Sequence, residues 1–303
     1  MPARAARGTT ETVRILMVGA TGANAGLVLP QLIKRGVVVR ALARNDQRAA
    51  AARANGAAET AIGDLTDPSS LSAALEDVDG VFHIGPAFAE GEAEMGVAIV
   101  NAANAAGARK FVFSGVIHPS ISAMANHAAK LAVEEALYTS DLDFTVLQPA
   151  MFMQNLAPLW PDIRDRGRLA LPYSERSKVC WVDYRDVAEV AAMAFTDDRL
   201  SRGTFELCAP GLVDRVQMAS MVGDVLDRPV SAEVTPLHEF ASTLPEGPQR
   251  DGLTRMMAHY DQHGFTGGNG LVLRAILGRE PRSLLDYFRE LAASPPPGAT
   301  VGA

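Results

Sequence analysis

Gly19-Ala20-Thr21-Gly22-Ala23-Asn24-Ala25-Gly26 follows directly on the apolar run Ile15-Leu16-Met17-Val18. A glycine-rich turn in that place lets backbone approach a pyrophosphate at the start of the next helix, so the first chemistry it suggests is dinucleotide binding. The spacing is Gly19-x-x-Gly22, with Ala25 and Gly26 where a third glycine would fall, and the G-x-G-x-x-G form is not matched. Turns of this composition also join strands to helices for purely structural reasons, and on these residues alone both readings stand. Arg44 supplies a second signal. About 20 residues past the glycines an NAD-selective site places Asp or Glu, which accepts from the ribose 2′-hydroxyl. A guanidinium cannot accept, but it donates in a planar fork that suits a 2′-phosphate, with Arg48 near enough to assist. A solvated arginine at a strand end is the competing reading, and it loses weight because the two signals coincide at the right separation. The residues therefore argue for NADP(H) over NAD(H).

Few side chains could move a proton. His127 carries an imidazole that titrates close to working pH and could deliver one, although a lone histidine is more often structural. His118 follows a strand-like run by a few residues, with Pro119 stiffening the loop. His83 lies within an apolar run and is expected to be packed. Ser114, at a strand end, either hydrogen-bonds a substrate carbonyl or caps local backbone. No His and carboxylate spacing resembles a metal site, so no metal is expected. Cys180 and Cys208 are the only cysteines, which excludes a disulfide framework or zinc cluster and makes a reducing cytoplasm the expected setting. Both read as small core residues.

The elements that must hold these residues alternate between strand and helix. Val37 to Ala43 is a second strand, joined to the first by a helix over Leu27 to Lys34 that closes at Gly36. Ala61 to Leu65 ends a third, and a helix follows Asp67-Pro68, where Asp67 caps and Pro68 suits the first turn. Val81 to Ile84 is a fourth, ended by Gly85-Pro86. A helix around Met95 to Ala106 stops at Gly107, Lys110 to Ser114 is a fifth strand, and a helix over Asn126 to Tyr138 leads into Phe144 to Gln148. This rhythm predicts an α/β fold, a Rossmann-type doubly wound parallel sheet that places ligands at the carboxyl ends of the strands, and the chain length leaves room for a smaller lobe. Residues 12–155 form the NADP-binding domain and 156–180 and 211–293 the lobe; 1–11 and 294–303 read as disordered tails. Asp186 sits near the start of a helix to Phe195, and Thr204 to Cys208 is a strand. The lobe is expected to hold helices at Val216 to Leu226 and Leu284 to Ala292 around a short strand at Val230 to Val234. The Met151 to Tyr173 loop supplies apolar surface from Met151, Phe152, Met153, Trp160 and Tyr173, which is plain core or, in a crevice, a wall for a flat apolar acceptor.

At 303 residues the chain is long enough for such a unit, and 48% hydrophobic residues fill a sizeable core. A net charge of -7 shows no basic excess and argues against a nucleic-acid or anionic-membrane partner. No run approaches the roughly 20 apolar residues of a membrane helix. The expected partner is a small apolar or aromatic acceptor, and homo-oligomer formation is left open.

The Gly19-Ala20-Thr21-Gly22 turn, Ala41-Leu42-Ala43-Arg44, Gly63-Asp64-Leu65, Phe113-Ser114-Gly115, His127-Ala128-Ala129-Lys130 and Gln148-Pro149-Ala150-Met151-Phe152-Met153-Gln154-Asn155 together resemble the NmrA-like branch of the atypical short-chain dehydrogenase/reductases, over about residues 13 to 210. The resemblance implies an NADP-binding Rossmann domain with a smaller C-terminal α+β substrate lobe, residues 181–210 returning to the main domain, in a family of reductases of quinones and other conjugated acceptors that also includes dinucleotide-binding redox sensors. Cofactor contacts are expected from Gly19, Thr21, Gly22, Ala23, Asn24, Arg44, Asp64, Leu65, Gly85, Pro86, Lys130 and Pro149. Most catalytic short-chain dehydrogenases carry Tyr four residues before the helix Lys; here that place is Asn126. An asparagine amide donates a hydrogen bond but transfers no proton usefully near neutral pH. Alcohol dehydrogenation through the usual triad is thus disfavoured. Lys130 is implied to hold the nicotinamide ribose, and Asn126, His127 and Lys130 share one helix face, with Ser114 the fourth candidate for the chemistry. An NADPH-dependent reductase of quinone-like or conjugated carbonyl compounds is expected; the alternative is an NADP(H)-binding sensor without turnover.

Overall fold

The computed structural model describes residues 12–294, so the tail assignments for 1–11 and 295–303 lie outside the described residues. Seven parallel strands make the central sheet: β1 (Arg14–Val18), β2 (Val38–Ala43), β3 (Glu59–Ile62), β4 (Gly80–Ile84), β5 (Lys110–Ser114), β6 (Asp143–Pro149) and β10 (Gly203–Leu207), in the order β10-β6-β5-β4-β1-β2-β3. Between the first six run α1 (Val28–Lys34), α2 (Asp46–Ala54), α3 (Pro68–Ala74), α4 (Glu92–Ala105) and α5 (Ala125–Tyr138). Side chains alternate across each strand, so both faces must be covered. Leu16 and Val18 of β1 join Phe111, Phe113, Ile99 and Val133 on the face of α3, α4 and α5. Ile15 and Met17 point the other way, into a core shared with Leu29 of α1.

Boundaries differ where backbone geometry rules. The helix expected from Leu27 is preceded by a 3-10 turn, Ala25–Leu27. The third strand stops at Ile62 and leaves Gly63-Asp64-Leu65 as the loop beyond its carboxyl end. The helix expected from Met95 begins three residues earlier, because Gly91 adopts φ +73 and Glu92 already has helical geometry. Asp67 caps α3 by accepting from the Ser69 N–H, as its position implies.

The stretch Met151 to Tyr173 is not an open loop. It contains β7 (Met151–Phe152), a 3-10 segment (Met153–Leu159), α6 (Trp160–Arg166) and β8 (Arg168–Leu171), and Met153, Trp160 and Tyr173 are buried in the core. The apolar residues there fill space between sheet and lobe, and only Met151 and Phe152 of the five are half-buried. Next come β9 (Val179–Val182), which pairs with β7, and α7 (Tyr184–Ala194), which covers the sheet beside α1. After β10, the short β11 (Leu212–Val213) pairs antiparallel with β9. The remaining elements are α8 (Arg215–Leu226), β12 (Ser231–Val234), which pairs with β8, α9 (Leu237–Ser242), α10 (Pro248–His263), α11 (Gly270–Leu277) and α12 (Leu284–Ala293). The cap of α7 is Asp183, whose carboxylate accepts from the Arg185 N–H. Asp186 serves as an anchor between elements. Fully buried, it accepts from the Arg282 N–H at 2.7 Å and from the Arg279 and Arg282 guanidiniums, fastening the segment before α12 to α7. No described helix is long and apolar enough to cross a membrane.

Candidate functional site

Strand order reverses between β1 and β4, and an open crevice forms beyond the carboxyl ends of the strands at such a point. Here it is a cleft of about 670 Å³, within the range of small-molecule and cofactor sites. Val18, Leu42, Ala43 and Ile84 form its floor. The glycine turn closes one side: Gly19 has φ +82, and a Cβ on it would lie 3.2 Å from the Ala25 Cβ. Gly22 donates to the Gly19 carbonyl at 2.8 Å, while the N–H groups of Ala23 and Asn24 have no acceptor among the described residues. Free N–H groups at the start of a helical segment are what an anion needs.

Beyond β2, Arg44 and Arg48 line one rim with Thr21. Arg44 is exposed and makes no hydrogen bond or ion pair among the described residues. Arg48 reaches the Thr21 hydroxyl at 3.5 Å, and Asn45 caps α2 by accepting from the Arg48 N–H. Asp64 and Leu65 line the same side. The Asp64 carboxylate accepts from the Thr66 N–H and hydroxyl, which hold its pKa below the usual carboxylate range. Gly85 and Pro86 line the opposite side with Ala89, Glu90 and Met95. Those last three, and Thr66, were missed by motif reading; the rule that ligands meet every strand end near the switch point reaches them.

Lys130, Pro149, Ser114, Asn126 and His127 do not line this cleft. Ser114 is buried, with its hydroxyl 3.0 Å from that of Tyr184. Pro149, also buried, ends β6 and accepts from the Ile117 N–H. Asn126 directs its amide nitrogen at the Met256 sulfur of α10, 3.8 Å away. The Lys130 ammonium is buried against the carboxylate of Glu92, a residue that sequence reading did not single out. His118, at φ +56, bonds the Thr266 carbonyl and so ties the β5 to α5 connection to the segment after α10. Among the described residues no group of His, Cys, Asp or Glu could hold a metal ion.

Two histidines are fully buried. His83 stacks on Phe113, both ring nitrogens lack a partner among the described residues, and burial pushes its pKa down to about 3, the Lys130 charge adding to the effect. His127 holds the His118 carbonyl at 3.0 Å through Nδ1, and burial pushes it down to about 4. Its imidazole is therefore neutral near pH 7 and holds no spare proton, unlike the expectation from its free value. Both shifts are downward, so the unfolded chain takes up protons that the native state refuses. Their stabilisation is complete above about pH 6.5 and is lost as pH falls toward the native values, on the order of 3 kcal/mol each by pH 4. Denaturant titrations at pH 7, 6, 5 and 4 should show this slope, and His83→Phe should flatten it. An unchanged slope in that variant would mean that His83 does not contribute.

A doubly wound parallel sheet with a crevice at its switch point is a Rossmann-type fold. The NmrA-like family model matches residues 11–292, and the chain belongs to that family. It is 32% identical over 289 residues to the NAD(P)H azoreductase of Xenophilus azovorans, covering 95% of this chain and 89% of that protein. Its fold is similar to the Escherichia coli NADPH-dependent quinone oxidoreductase complexed with NADPH, with a TM-score of 0.79 at 22% identity over 92% of this chain and 99% of that one. It is also similar to NmrA, a negative transcriptional regulator in complex with NAD, with a TM-score of 0.74 at 18% identity over 92% of this chain and 95% of that one.

Proposed function

We propose that this protein is an NADPH-dependent oxidoreductase that delivers hydride to a quinone-like or conjugated carbonyl compound. The observation that carries the cofactor choice is Arg44, exposed at the end of β2 with no hydrogen bond among the described residues and only the nearby charge of Asp64 acting on it, where an acid would select NAD(H). The residues present fit such a group. The Ala23 and Asn24 N–H groups would receive the pyrophosphate, Arg44 with Arg48 the 2′-phosphate, and Gly85 with Pro86 the nicotinamide half. A nicotinamide, when bound, would supply the hydride, and Gly85 and Pro86 at the cleft wall would orient it. A conjugated acceptor spreads the arriving negative charge by resonance, so a proton from solvent suffices and a general acid in the cleft is not required. This agrees with Asn126 in place of tyrosine and with a neutral His127. The azoreductase relative supports the reading, since an azo bond is likewise a conjugated two-electron acceptor.

Arg44→Ala should weaken NADPH binding by about 1.5 to 3 kcal/mol, roughly ten- to a hundredfold, and leave NADH almost untouched. Calorimetric titration of both cofactors checks it. Equal affinities in the parent protein would sink the cofactor assignment.

A second reading, a dinucleotide-responsive regulator without turnover, is favoured by the absence of Ser114, Asn126 and His127 from the cleft lining and by the likeness to NmrA. NADPH consumption across quinones, enones, aldehydes and azo dyes separates the two. Turnover with any conjugated acceptor supports the enzyme; tight NADPH binding with no turnover across the panel supports the regulator.

A further inference from the structure

Glu92 is the first residue of α4 and is almost fully buried, and both of its carboxylate oxygens are engaged. Oε1 accepts from the Lys130 ammonium on α5; Oε2 accepts from the Phe88 N–H at 2.8 Å. A Cβ on Gly85 would lie 3.1 Å from Oε1, so the ion pair sits directly behind a residue that walls the cleft. Phe88 holds φ +64, unusual for a residue with a side chain, and its ring lies where a Cβ on Gly252 of α10 would fall, 2.3 Å from Cδ1. One carboxylate therefore joins α5, the connection from β4 to α4 and, through Phe88, the helix α10 of the lobe.

We propose that Glu92 is the positioning residue for the nicotinamide end of the cleft, clamping Lys130 and the Phe88 connection as one unit, with the ion pair kept when the cofactor binds. The proposal rests on the reading of the cleft as an NADP(H) site. A buried ammonium that left its only anion would strand a carboxylate in the interior, so the lysine stays with Glu92. An ammonium has three N–H donors, and Glu92 is its one acceptor among the described residues. The remaining donors are free to serve ribose hydroxyls past Gly85. The location of the anion is also favourable, since the first turn of α4 has its positive dipole end there.

Among the described residues, the ionisable groups that face Lys130 are Glu92 from α4, His83 from β4 and His127 on α5 itself. Both histidines are neutral above pH 5, which leaves Glu92 as the charged neighbour of Lys130 among the described residues. Glu92→Gln leaves the ammonium buried without its anion, which makes it give up its proton more readily.

The test is the NADPH dissociation constant of each variant from about pH 7 to 9. The parent and Lys130→Met should each show a flat profile, the latter weaker. Glu92→Gln should bind about tenfold more weakly at neutral pH and weaken further as pH rises, which loss of packing alone would not produce. Glu92→Gln/Lys130→Met should return to the flat profile of Lys130→Met. Parental affinity and a flat profile in folded Glu92→Gln would overturn the clamp while leaving the cofactor reading intact. Should Glu92→Gln fail to fold, Glu92→Asp decides: it keeps the charge with a shorter reach, several-fold weaker binding with a flat profile supports the clamp, and parental affinity overturns it. A parent protein that does not bind NADPH at all brings down the cofactor reading and the clamp with it.

Discussion

Gly22→Val should abolish NADPH binding, with at least a hundredfold loss of affinity, about 3 kcal/mol, while the fold survives. Gly22 is exposed at the turn, so the substitution removes no core packing. A Cβ there would already stand 3.2 Å from the Gly19 carbonyl oxygen and 3.9 Å from the Ala25 Cβ. Gly22 lines the cleft, so the two methyl groups of valine take up space at its wall. A pyrophosphate needs that space, and no small adjustment of a turn closed by the Gly22 to Gly19 hydrogen bond restores it. Circular dichroism and thermal melting would establish that the variant is folded, and fluorescence or calorimetric titration would give the affinity. Parental NADPH affinity in the folded variant would reduce the glycine turn to a connector.

The second large effect is on stability. Asp186→Ala should cost about 2 to 4 kcal/mol, since it removes a fully buried carboxylate that accepts from the Arg282 N–H and from two guanidiniums. The upper part of the range for a broken buried pair is discounted because Arg279 and Arg282 have side chains 37% and 35% exposed, and water takes over part of their solvation. Arg279 also keeps Glu189 at 2.5 Å. The Arg282 N–H has no such replacement. Asp186→Asn, which keeps an acceptor but not the charge, should fall between the two. Denaturant unfolding measures both, and a loss below about 0.5 kcal/mol, the usual scatter of surface substitutions, would mean that this anchor does not hold the lobe. Because the segment it fastens leads into α12, proteolysis at Glu280 to Ser283 should also accelerate in Asp186→Ala.

The sequence by itself determined the sheet and the strand-end wall of the cleft. β-branched and apolar runs such as Ile15 to Val18 and Lys110 to Ser114 must be buried on both faces, glycine and Asp-Pro signals mark where they stop, and their alternation with helices leaves a doubly wound sheet as the natural packing. Gly19, Thr21, Gly22, Ala23, Asn24, Arg44, Asp64, Leu65, Gly85 and Pro86 all line the cleft for the same reason: each lies within a few residues of a strand's carboxyl end, so local position in the chain fixes its place in space. The limits of the lobe and the surroundings of α5 were not legible in this way. Between core and crevice wall, Met153, Trp160 and Tyr173 are core, because short elements of the Met151 to Tyr173 stretch pack against strands from residues far along the chain. The charge and proton state of the α5 face depended on contacts that no spacing encodes. Lys130 meets Glu92 across 38 residues, and Asn126 meets Met256 across 130. His127 has its titration set by burial under Phe265 and by the His118 carbonyl. A pKa or an ion pair is a property of the medium and neighbours around a group, and only the tertiary structure decides what those are.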